Sequence, residues 1–355
     1  MKKLILTGII IGMGILPFYG KKDVKIILTE EEKVKMLNEA DDFIDEIPEG
    51  QPDRQADAIL HALQGSGVEL EAVRQSRNVA PKYSGNVDVK EINPIDGSAR
   101  GVAMRLYRPK SAQGKTLPLL VYFHGGGWCF GSLNSCAAYC DALASKENVA
   151  VLAVDYSLAP ENPFPGGLSD CIAASEYAFE NASDLGTSTS LISLGGDSAG
   201  GNLALATAMY FAGNKKDDRI RSLVLYYPVV SLENENSGSW REYSRGYGLD
   251  RRLMDAFIKG YDDNGKAAEN IGGIPKDVLK SPMKAEENMM KSLPPMLMIS
   301  AERDILVDQG REFAGKVSNL DRVEFPGAVH LFITVPGQDT AFGKAIEITG
   351  SFLTE

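Results

Sequence analysis

Histidine is scarce in this chain, with three in 355 residues, and there are only two tryptophans and four cysteines, so few side chains are available for imidazole or thiolate chemistry. Cys129, Cys136, Cys140 and Cys171 fit no zinc-ligand spacing. Cys136 and Cys140, at i and i+4, are awkwardly placed for a bridge within one helix, and all four read as small buried thiols. Basic charge is also short: 37 Lys and Arg against 48 Asp and Glu give a formal net charge of -11. No basic cluster offsets it, which argues against nucleic acid and anionic membrane surfaces as partners. Repeats and low-complexity tracts are absent. With 44% hydrophobic content the chain can bury a large core, and one α/β domain with insertions is the expected organisation.

The N-terminus opens with Lys2 and Lys3, then a charge-free run from Leu4 to Phe18, then Tyr19-Gly20. That run is too short to span a bilayer comfortably, and behind two lysines it has the layout of a secretory signal peptide. Residues 1–20 are therefore expected to direct export to the periplasm or beyond, with no stable membrane association after removal. Phe18 fits poorly three positions before a cleavage at Gly20, so an uncleaved anchor and a buried N-terminal segment are the alternatives.

Beyond this segment, Thr29 with Glu32 forms a capping box, and Val34, Leu37, Ala40, Phe43, Ile44 and Ile47 recur at helical spacing. A second helical stretch follows at Ala56 to Leu63. Strands are expected at Val87–Ile92, Gly101–Tyr107, Leu117–Phe123, Val149–Tyr156, Leu191–Leu194, Leu223–Tyr227, Met296–Ser300 and Val323–Phe325, with helices between several of them, the alternation of a doubly wound sheet. The polar, glycine-rich segment from Ser231 to about Pro282 interrupts this pattern and carries Trp240, Tyr243, Tyr247, Phe257 and Tyr261, which either line a pocket or pack cap pieces together. The divisions are a helical cap segment at 21–85, core at 86–230, a cap insertion at 231–282 and further core at 283–355.

The most informative string is GGDSAGG, Gly195 to Gly201, between an apolar run and the helical stretch Ala199 to Ala212. A strand that breaks into a helix through small residues forces the middle residue into a strained turn and lifts its hydroxyl clear. Ser198 is thus the candidate nucleophile. A serine needs a base, and His330 is the only histidine downstream of it. Between them Asp304 follows the apolar strand Pro295 to Ser300, in the place of the acid that orients the base. Its rivals are Glu302, nearer the strand, and Asp308, which reads as an N-cap or first-turn residue. His124-Gly125-Gly126-Gly127 follows another buried strand and emerges at the same sheet edge. Gly125, Gly126 and Ala199 are the expected oxyanion donors, with His124 anchoring the loop. Trp128 is the side chain expected to border the substrate.

The stretches HGGGWCFGS, DYSLAPENPFP, GDSAGGN, AERDILVDQG and PGAVHLF resemble the hormone-sensitive-lipase-like group of α/β-hydrolase carboxylesterases, the GDSAG branch. The resemblance implies an α/β-hydrolase fold, a mostly parallel eight-stranded sheet flanked by helices with a helical cap. It also implies a triad of Ser198, Asp304 and His330 acting on a small-molecule ester, with no metal or organic cofactor called for. Short acyl chains are implied, with acetyl or aromatic acyl esters of plant polysaccharide as a target for an exported bacterial enzyme. Ser157, Asn162 and Leu331 depart from the group's usual arginine, histidine and glycine, while Asp155 and Glu161 read as supports of the site loops. A non-catalytic ligand-binding protein, which retention of His330 disfavours, and an acyltransferase are the alternatives on the same fold.

Overall fold

The computed structural model describes residues 28–96, 101–214, 219–233 and 237–355. The expected export segment, residues 1–20, lies outside them. Three helices lead, α1 (Glu30–Glu46), α2 (Gln51–Leu63) and α3 (Val68–Arg77), followed by β1 (Val87–Ile95), β2 (Val102–Pro109), β3 (Leu119–Phe123), α4 (Ala137–Glu147), β4 (Ala150–Asp155), α5 (Gly166–Glu180), β5 (Ile192–Asp197), α6 (Ala199–Gly213) and β6 (Leu223–Tyr226). Then come α7 (Gly238–Glu242), α8 (Arg251–Tyr261), the short pair β7 (Asn270–Ile271) and β8 (Ile274–Pro275), and α9 (Lys276–Lys280). The chain closes with α10 (Glu287–Ser292), β9 (Met296–Arg303), α11 (Val307–Lys316), β10 (Leu320–Val329) and α12 (Asp339–Thr354).

Eight strands form one sheet in the order β1-β2-β4-β3-β5-β6-β9-β10, antiparallel at β1–β2 and β2–β4 and parallel from β4 onward. This is the sheet that the family resemblance implies. Both faces are covered, so β3 reads as a continuous apolar run whose residues divide by period two. Leu119, Val121 and Phe123 enter the core shared with α5 and α6, whereas Leu120 and Tyr122 enter the one shared with α4 and α12.

The N-terminal helices do not form one cap. The capping box at α1 is present, Glu32 N–H donating to Thr29 Oγ1 at 3.1 Å and Thr29 N–H to Glu32 Oε2 at 2.7 Å. Yet α1 buries Met36, Ala40 and Phe43 and lies against β10 and α12, at the sheet's edge. Only α2 and α3 join α8 in the cap. Neither α3, which buries just Leu70, nor the β7–β8 hairpin has a clear apolar period in the sequence. A buried ion cluster fixes the far side of the insertion: Asp263 accepts from Lys280 Nζ at 2.6 Å and Lys276 Nζ at 3.3 Å, and the Lys280 carbonyl accepts from Asn202 Nδ2 on α6 at 3.1 Å. The four cysteines are buried and unpaired.

Close approach of α6 to β3 sets the spacing at the sheet's carboxyl edge. A Cβ at Gly200 would stand 1.9 Å from the Phe123 carbonyl oxygen, so only glycine permits it. Gly200→Ala should therefore cost about 3 kcal/mol or more in urea unfolding. Gly343→Ala in α12, where an added Cβ meets nothing within 4 Å, should instead add about 0.5–1 kcal/mol. Equal effects of the two would contradict this account of the packing.

Candidate active site

β5 ends at Asp197 and α6 begins at Ala199, leaving Ser198 as a one-residue junction with φ 55° and ψ −118°. A side chain other than glycine is strained there. The junction is held by the Ser198 N–H, which donates to the Tyr226 carbonyl at 2.9 Å, and by Val229 and Asn202 N–H groups on the Ser198 carbonyl at 3.2 and 3.1 Å. Ser198 Oγ lies 3.0 Å from His330 Nε2, and His330 Nδ1 lies 2.6 Å from Asp304 Oδ2. All three side chains are buried. A carboxylate against Nδ1 fixes the ring proton there and leaves Nε2 to accept from the serine. Asp304 is itself oriented by the Leu306 N–H, 2.9 Å from Oδ1. The Tyr227 ring rests on the imidazole at 4.4 Å between centroids.

The rivals of Asp304 are occupied elsewhere. Glu302 Oε2 accepts from the Gly327 N–H at 2.6 Å, steadying the strand that leads to His330, and Asp308 Oδ2 accepts from the Ser239 N–H of α7 at 2.8 Å.

The register of β3 on β5 sets Phe123 opposite Gly196, so His124-Gly125 faces Asp197-Ser198 across the sheet edge. Here one expected residue is corrected. The Gly125 N–H donates to Asp197 Oδ1 at 2.8 Å, which removes it from the set of free donors. The same oxygen accepts from Tyr122 Oη at 2.7 Å. Among the described residues no backbone acceptor takes the N–H groups of Gly126, Gly127 or Ala199. Asp197 went unnoticed in the sequence because it reads as one letter of the nucleophile motif. His124 anchors the loop as expected, Nδ1 lying 2.8 Å from the Gly125 carbonyl and its ring stacking on Tyr156 at 4.3 Å.

Trp128 takes a different place from the one expected. It is 1% exposed, with φ 60°, and its ring stacks on Tyr261 of α8 at 4.3 Å and 7°. It packs the glycine loop to the cap. The aromatic that lies directly on the glycines is Phe257, whose ring a Cβ at Gly127 would meet at 2.1 Å. Phe257 also contacts Phe130 edge-on at 5.5 Å, so these cap aromatics serve packing against the loop. Glu161 supports the loops through Arg74 of α3, which no sequence pattern singled out. At Leu331, where glycine is usual, φ is 75°.

Comparison with known proteins bears on the fold and the family. The family described as alpha/beta hydrolase fold matches residues 120–334. A carboxylesterase of Mycobacterium tuberculosis is 30% identical over 289 residues, 79% of this chain and 88% of that one. An arylesterase of Saccharolobus solfataricus is 34% identical over 238 residues, 66% of this chain and 73% of that one. Among solved structures, a Pyrobaculum calidifontis esterase aligns with TM-score 0.69 and 29% identity, covering 81% of this chain and 94% of its own.

Asp197 generates a pH-dependent test. Burial raises its carboxyl above the ordinary range, with the Tyr122 and Gly125 bonds opposing that shift. A raised folded value favours the protonated carboxyl, so its contribution to stability is present below the ordinary carboxylate range and is lost as pH rises through the raised value. The wild type should gain stability relative to Asp197→Asn in urea unfolding as pH falls toward the ordinary carboxylate range. A difference that fell instead as pH was lowered would contradict a carboxyl raised by burial. Asp197→Ala, which strands the Gly125 N–H and the Tyr122 hydroxyl, should cost about 2–4 kcal/mol at low pH and less as pH rises.

Proposed function

The chain belongs to the alpha/beta hydrolase fold family, in its hormone-sensitive-lipase-like group of carboxylic ester hydrolases, and we propose that it cleaves short-chain acyl esters through an acyl-enzyme on Ser198. The observation that carries the reading is His330 standing between Ser198 Oγ at 3.0 Å and Asp304 at 2.6 Å. As Ser198 Oγ bonds to the ester carbonyl carbon, its proton passes to His330 Nε2, and Asp304 stabilises the resulting imidazolium. The carbonyl oxygen takes the negative charge and accepts from the N–H groups of Gly126, Gly127 and Ala199. Collapse of this intermediate breaks the bond to the alcohol oxygen, which receives the proton from His330. Water then attacks the acyl-enzyme with His330 as base, releasing the acid and restoring the serine.

Short acyl groups are favoured by the cover over the nucleophile. Ser198 is 6% exposed, and Phe257 rests on the adjoining glycine turn, leaving little room beside the nucleophile. The expected export signal at residues 1–20 extends the proposal to a substrate outside the cytoplasm, and acetyl or aromatic acyl groups on plant polysaccharide suit such a location. Trp128 then supports the substrate site indirectly, by holding the glycine loop against α8.

Hydrolysis of p-nitrophenyl acetate, butyrate, octanoate and laurate tests the assignment. Activity should fall with chain length, and Ser198→Ala or His330→Gln should lower kcat by about 10^4-fold or more. A wild type that released no more nitrophenol than Ser198→Ala on every ester would favour the ligand-binding alternative. Ester consumption that rose with an added alcohol, yielding a new ester, would favour the acyltransferase.

A further inference from the structure

Arg74 lies on α3, outside the sheet and far along the chain from the serine, yet its guanidinium reaches the turn that carries the oxyanion donors. Nε donates to the Cys129 carbonyl at 2.9 Å, and one terminal nitrogen donates to the Ala159 carbonyl at 2.8 Å. Both terminal nitrogens grip Glu161, at 2.9 Å to Oε1 and 2.8 Å to Oε2. The side chain is 17% exposed. A planar fork can satisfy these directions together, and a lysine ammonium cannot.

What the fork holds is part of the donor turn. Cys129 and Phe130 N–H groups both donate to the Gly126 carbonyl, at 3.1 and 2.8 Å, closing residues 126–130 into one rigid turn. The Trp128 carbonyl accepts from the Ala159 N–H at 2.9 Å, so the 126–130 turn and the 159–161 loop are tied to each other and both to Arg74. On its inner side the turn is held by Asp197 through Gly125. The outer hold comes from the cap.

We propose that Arg74 is a positioning residue for ester hydrolysis, the fork through which a docked α3 holds the Gly126–Gly127 donors where the oxyanion forms. The inference rests on the acyl-enzyme reading. A displacement of under an ångström weakens donors aimed at the transition state while leaving the ground-state ester's contacts largely intact. The loss therefore falls on kcat.

Arg74→Ala and Arg74→Lys should each lower kcat on p-nitrophenyl butyrate by about 10- to 100-fold, with KM within about threefold of wild type. A trifluoromethyl ketone, which forms the tetrahedral adduct, should lose affinity by the same factor as kcat/KM. Glu161→Gln, which keeps the side chain's shape and one acceptor, should give a smaller loss in the same direction. Amide hydrogen exchange of residues 124–132 should accelerate in Arg74→Ala while that of β5 and β9 is unchanged, a readout that holds even if the wild type has no esterase activity. Folded Arg74→Ala with unchanged kcat, or with kcat lowered while exchange in 124–132 stays at the wild-type rate, overturns the proposal. An inactive wild type would instead count against the acyl-enzyme reading.

Discussion

One hydrogen bond, from the Gly125 N–H to the Asp197 carboxylate, joins the two loops on which the site depends. Each loop springs from the carboxyl end of a buried strand, and the β3–β5 register fixes their separation only along the strand direction. Across the gap between them, a side chain must reach. Asp197 does so from the position immediately before Ser198, so the residue that locks the oxyanion turn and the residue proposed to attack are rigidly coupled through one peptide. The cost is a carboxyl shut away from water, offset by two donors on one oxygen and visible as a proton affinity raised by burial. This gives a structural reason for an acidic residue at the buried end of β5.

The fold was legible because central strands such as β3, β4 and β6 are buried on both faces and read as uninterrupted apolar runs, whereas β1 and β2 alternate apolar with polar residues; each of the eight expected stretches overlaps a strand of the sheet. The serine, acid and histidine were legible for a different reason: with three histidines in the chain, position relative to Ser198 leaves His330 alone. Gly125 was misread because a backbone N–H carries no sequence signal of its own, and its destination is decided by a side chain that returns from 72 residues away. Trp128 was misread because an aromatic beside the glycines fits a pocket wall as well as a packing face, and only the position of Tyr261 on α8 distinguishes them. Arg74 was invisible for the same reason as α3 itself: a helix that buries a single apolar residue shows no stripe, and its value lies in a polar contact.

The cap is held to the core by two kinds of contact. Aromatic faces, Trp128 on Tyr261 and Phe130 against Phe257, give area and weak orientation preference. Directional bonds give register: Arg74 to the loop carbonyls, Asn202 to the Lys280 carbonyl, and Asp308 to the Ser239 N–H. α8 carries both kinds: besides its aromatics, Arg252 donates to the Asp53 carbonyl of α2 at 3.0 Å, and the Tyr261 carbonyl accepts from the Phe164 N–H at 2.9 Å.

Backbone strain is distributed to match. Six non-glycine residues among those described have positive φ: Trp128, Asn148, Ser198, Tyr227, Asn264 and Leu331. The two asparagines tolerate that conformation and lie outside the site. The other four surround the proposed reacting groups: the proposed nucleophile itself, the aromatic on the imidazole, the residue after the histidine, and the residue after the glycines proposed as donors. Each costs about 1–3 kcal/mol, and the sheet and its close-packed helices must supply it. Glycine at Leu331 would relieve one of these, yet it would also free the backbone next to His330 and remove a side chain that reaches toward Gly248 of the cap. Leucine at this position thus carries a strained backbone together with a contact to the cap, whereas Gly126 and Gly127 hold positive φ at no such cost.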